Sequence, residues 1–154
     1  MRATAFALAL AALGAGAQAH PMPHSTVVVR AGAREVELVA SIPVSELRAA
    51  MGEASAREAG AYVVRHAGVT GADGRGWRPV VRKVEPGEVD GHAVMSVRLG
   101  FTPPAGAATK PANLRYDAVT HRVASHYVLV YRRDGEALTP RGRLQSPTTE
   151  LKLP

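Results

Sequence analysis

The chain has 154 residues, no cysteine, 46% hydrophobic residues and a formal charge of +6. That length suits one domain, and the missing cysteines exclude disulfides, thiolate metal sites and thiol nucleophiles. The basic excess is nearly all arginine and scattered, with only 5% aromatic residues, so a nucleic-acid face is not expected; a solvated basic surface with loose attraction to anionic lipid headgroups is.

The chain opens MRATAFALALAALGAGAQAHPMPHS. Arg2 is a positive start, Phe6 to Leu13 a short apolar run, and Ala17-Gln18-Ala19 a small-residue cleavage signal. Together they describe a secretory signal peptide over residues 1–19. Cleavage after Ala19 leaves His20 as the amino terminus and residues 20–154 as a single exported soluble domain, periplasmic or secreted. Ala15-Gly16-Ala17 offers a rival site. No later stretch reaches the length of a membrane-spanning helix.

Val27 to Arg30 reads as a strand, Ala31-Gly32-Ala33 as a turn, and Arg34 to Ile42 as a second strand. In the latter, Val36, Leu38 and Ile42 alternate with Glu35 and Glu37, the period of a half-buried strand. Pro43 to Gly52 has Pro at its start and Gly just past its end, as a short helix prefers. Ser55-Ala56-Arg57-Glu58 is a capping box, and Ala59, Tyr62, Val63 and His66 follow on one helical face closed by Gly68. Strands are predicted over Val80 to Val84, His92 to Phe101, Leu114 to Val119, His126 to Arg133 and, broken by Pro147, Leu144 to Leu153. The expected fold is mainly β: a sandwich of about six to seven strands, with two short helices inserted after the first hairpin. A mixed α+β sheet with helices on one face is the alternative.

Four stretches carry a family likeness: His20-Pro21-Met22-Pro23-His24-Ser25, Ile42-Pro43-Val44-Ser45-Glu46-Leu47, Phe101-Thr102-Pro103-Pro104-Ala105-Gly106, and Tyr116-Asp117-Ala118-Val119-Thr120-His121-Arg122-Val123-Ala124-Ser125-His126. In this order they resemble the extracytoplasmic amino-terminal region of HupE/UreJ-type bacterial membrane proteins. The likeness spans most of the mature chain. Those proteins continue into transmembrane helices, so this chain resembles a free-standing version of their soluble part. The resemblance implies a setting of nickel or related metal handling, although that association belongs mainly to the membrane part.

The histidines are the residues with chemistry to offer. A mature His20 presents its amine and its ring to one ion as a chelate, and neutral imidazole suits copper(II), nickel and zinc. Pro21 denies a backbone-amide ligand, so further imidazoles are needed. His24 is near in sequence, but Pro21 and Pro23 stiffen an extended path between the two. His121 and His126 are five apart and on one strand would face opposite ways, unless a turn around Arg122 to Ser125 brings them together. Asp117 stands just upstream and can orient a ligating ring. His66 reads as structural, His92 as a solvated strand start. No G-x-S-x-G elbow, phosphate-binding glycine loop or H-E-x-x-H occurs, and an enzyme is not expected. The leading expectation is a metal-binding accessory domain that captures or delivers one divalent ion through His20, His24, His121 and His126. The alternative is an exported interaction module that docks on a membrane-protein partner and binds no metal.

Overall fold

A computed structural model describes residues 24–153; the expected signal peptide, its predicted cleavage site and His20 lie outside them. β1 (Ser25–Ala31) and β2 (Val36–Pro43) form the first hairpin. Val27 and Val29 of β1 and Val36, Leu38, Ala40 and Ile42 of β2 are buried, while the residues between them are not. One face of this hairpin therefore joins the core and the other meets solvent. Pro43, which has no N–H for a further ladder bond, ends β2 and serves as N-cap of α1 (Val44–Met51). Gly52 closes α1 at φ 80, a left-handed conformation suited to glycine, with its N–H on the Arg48 carbonyl.

α2 (Ala56–His66) opens on the predicted capping box: Ser55 Oγ accepts from the Glu58 amide at 3.3 Å and Glu58 Oε2 accepts from the Ser55 amide at 2.8 Å. Ala59, Tyr62 and Val63 are its buried stripe. A Cβ on Gly60 would stand 2.9 Å from the Val84 side chain, so glycine there permits the close approach of α2 to the sheet. Ser55→Ala is expected to cost about 1 kcal/mol in urea unfolding. An unchanged midpoint would mean that burial of Tyr62 and Val63 alone sets the helix start.

The remaining strands are β3 (Ala67–Gly71), β4 (Arg78–Val89), β5 (His92–Thr102), β6 (Pro111–Tyr116), β7 (Val128–Asp134), β8 (Ala137–Leu144) and β9 (Glu150–Lys152). They form a six-stranded sheet of order β4-β5-β2-β1-β7-β8 and a three-stranded sheet of order β3-β6-β9. Among the described residues, only β1 and β7 pair in parallel; the other ladders are antiparallel. One hydrophobic cluster draws on both sheets and both helices, with Leu38, Val97, Phe101, Leu114 and Tyr116 fully buried. The fold is mainly β and sandwich-like, with two helices after the first hairpin.

Among the described residues, nine strands stand where about seven were predicted, and the two added ones have physical reasons. Ala67 is extended (φ −128, ψ 143), so α2 stops at His66 and β3 begins at once; Gly68 lies inside that strand and closes no helix. β8 is exposed at every residue but Leu144 and carries no apolar alternation to read. β6 ends at Tyr116, because Ala118 and Val119 belong to the loop that leads to β7.

Candidate functional site

The antiparallel register of β3 and β6 sets Ala67 opposite Tyr116. The next residue on each side is therefore His66, the last of α2, and Asp117, the first of the loop. The Asp117 amide donates to the His66 carbonyl at 3.0 Å, and His66 Nδ1 lies 3.1 Å from Asp117 Oδ1. The loop then turns back on itself. The His121 amide and His121 Nδ1 both reach the Asp117 main-chain carbonyl, at 3.2 and 3.0 Å. The two imidazoles stack with centroids 4.0 Å apart and planes 14° from parallel. Tyr62, one turn before His66 on α2, packs its ring at 4.6 Å from His66 and 5.9 Å from His121.

Val119 holds this turn in an uncommon shape. Its φ is 71, a left-handed conformation that is costly for a β-branched residue. It is fully buried, and its amide donates to the Tyr62 hydroxyl at 2.8 Å. Packing, this hydrogen bond and the Arg122 and Val123 amides that donate to its carbonyl, each at 2.9 Å, keep the strained residue in place, and the strained turn returns His121 over His66.

The chemistry follows from Asp117. A carboxylate and a carbonyl are acceptors only, so each Nδ1 facing them carries the proton, and each Nε2 keeps a bare lone pair. Metal-binding histidines are oriented in this way, one ring nitrogen donating to a carboxylate or carbonyl. Burial holds the His66 pKa below the ordinary histidine value; the Asp117 hydrogen bond pulls it up, and His121 lowers it again. His66 is therefore neutral at neutral pH, the form a metal needs. Arg115 Nη1 shares Asp117 Oδ1 at 3.1 Å and steadies the carboxylate. Coordination to one ion at about 2.0–2.1 Å from each nitrogen requires the rings to splay from their stack; His121, exposed on its loop, has the space to tilt. Among the described residues, no group of three or more His, Cys, Asp or Glu is spaced to hold an ion.

The other predicted ligands lie elsewhere. His20 is outside the described residues. His24 stacks on Tyr127 with centroids 5.0 Å apart and planes 7° from parallel, and the Arg143 guanidinium sits 3.9 Å from the Tyr127 ring on its own account. His126 is buried: its Nε2 is 2.9 Å from Ser25 Oγ and its Nδ1 3.3 Å from Glu46 Oε2. An ion arriving at His126 would have to displace one of these groups. The side chains of the consecutive residues His24 and Ser25 make separate contacts, the first with Tyr127 and the second with His126. The turn at Arg122 to Ser125 does form; in it His121 reaches back to Asp117, while His126 faces Ser25 and Glu46. The residue that sequence reading set aside is His66. Its place at the end of a capped helix is legible locally, but the strand that follows and the partner it meets there are not.

Comparison with known proteins finds no family model that matches this chain and no curated protein that matches it.

Proposed function

We propose that this chain is a metal-binding accessory domain of the cell envelope that captures one divalent ion at His66 and His121. The observation that carries the reading is the double anchoring of the imidazoles on Asp117, through its carboxylate and through its carbonyl. With imidazole ligands and no thiolate, copper(II), nickel and zinc are the matching ions, in that order. Two ring nitrogens leave coordination positions open to water or to a further ligand. An open, partly exposed site serves capture and delivery better than permanent storage. The likeness to HupE/UreJ-type proteins points to the same kind of role. His20 is the candidate for a third ligand, through its ring and a freed amine.

Titration of the secreted protein with Cu(II), Ni(II) and Zn(II), followed by calorimetry, tests the site. His66→Ala and His121→Ala are each expected to weaken binding roughly 100-fold, as befits loss of one of two ligands. His92→Ala is expected to bind as the parent does. Unaltered affinity in a folded His66→Ala protein overturns the assignment. If affinity instead disappears when one extra residue precedes His20, the ion belongs to the amino terminus and not to this pair.

A further inference from the structure

We propose that the open face of the six-stranded sheet docks on an anionic lipid bilayer. Alternation along the strands separates two faces. Val27, Val29, Leu38, Ala40, Val128 and Val130 point to the core. The opposite face carries Val28, Val39, Leu129 and Tyr131, none of them buried, and register brings them side by side: Val28 opposite Val39 and Tyr131, Thr26 opposite Leu129.

Charge on this face is asymmetric. Three carboxylates lie there, and each has a cation beside it: Glu35 with Arg82 at 2.9 Å, Glu85 with Lys83 at 2.6 Å, and Glu37 opposite Arg30 in register. Arg98, Arg133 and Arg143 remain, and no carboxylate pairs with them among the described residues. They are spread from β5 to β8, across strands spaced about 4.8 Å apart. Cations distributed this way match a plane of uniform negative charge, whereas an acidic protein segment would call for a cluster. The remainder of the face also suits a bilayer interface. Tyr127 and Tyr131 are of the type that settles at headgroup level. Val80 and Leu138, 46% and 48% exposed, mark the two edge strands, with Leu138 opposite Arg133.

The test uses sedimentation with phosphatidylglycerol-containing vesicles against pure phosphatidylcholine vesicles. A chelator is present throughout, so the outcome is independent of the metal reading. The wild-type protein is expected to bind only the anionic vesicles and to be released by salt. Reversing Arg98, Arg133 and Arg143 together (R98E/R133E/R143E) should lower the partition coefficient by more than about 100-fold, since each cation near such a surface contributes roughly fivefold. The helix-side set R57E/R65E/R122E should retain most of the binding. Equal loss in the two sets, or no wild-type binding, overturns the proposal. So does preference for polyglutamate over the anionic vesicles, which would identify an acidic protein as the occupant. Thermal melting verifies folding, and Tyr131→Trp gives a second measurement that needs no charge reversal: its emission should shift to the blue on anionic vesicles, and no shift would count against docking.

Discussion

His126→Ala is expected to destabilise the domain by about 3 kcal/mol, among the larger effects open to a single polar substitution. The imidazole is buried at the meeting of three segments. Ser25 begins β1, Glu46 lies in the first turn of α1, and His126 itself precedes β7. Its loss leaves the Ser25 hydroxyl, fully buried, without the ring nitrogen at 2.9 Å, and leaves the mostly buried Glu46 carboxylate facing a cavity. An unsatisfied buried hydroxyl costs about 1–3 kcal/mol, and the missing ring adds its own packing term. Glu46→Gln keeps an acceptor beside the ring and should cost about 1 kcal/mol. Ser25→Ala and His126→Ala should be non-additive in a double-mutant cycle, since each removes the same contact. Urea unfolding decides the matter. A loss under about 1 kcal/mol for His126→Ala would mean that the ring merely fills space.

The elements most legible from sequence were those whose periodicity is set by burial on one side. Val36, Leu38 and Ile42 declared β2, and the Ser55–Glu58 box declared α2, because both patterns are local. β3 was hidden because Ala67-Gly68-Val69 follows a helix without a break, and only pairing with β6 makes it a strand. β8 was hidden because an exposed edge strand has no hydrophobic face to reveal. The histidines divide along the same line. Asp117 and His121 are four apart in sequence, so the orienting role of Asp117 could be read locally. His66 is 51 residues from Asp117. Their meeting depends on the β3–β6 register, a long-range property that spacing cannot express. For His126, composition records a histidine but not the serine and glutamate that the fold brings to its two nitrogens.

Asp117→Asn should lower divalent-metal affinity by about 10–100-fold while leaving both imidazoles in the chain, the usual cost of losing a group that orients a ligand. Two effects compete. The carboxylate raises the proton affinity of His66, so its removal lowers the pKa further and reduces proton competition at acid pH. It also withdraws negative charge and leaves the Arg115 cation without this partner, both of which oppose binding of a cation. Above about pH 7, His66 is neutral in either protein, the first effect vanishes, and the loss dominates. As pH falls below the ordinary histidine value and His66 takes up its proton, the difference between the proteins should narrow. The metal-free protein gives an independent measure. Folded His66 is held below its ordinary value, so in the window between the two values the unfolded chain binds the proton that the folded chain refuses, and stability rises with pH. That contribution is complete above the ordinary histidine value and is lost as pH falls through the window. Asp117→Asn widens the window downward, so the variant should be the more acid-sensitive of the two in urea unfolding across pH 5 to 8. Equal metal affinity at neutral pH, together with an unaltered pH profile, would show that Asp117 does not act on His66, and the double anchoring would lose its functional meaning.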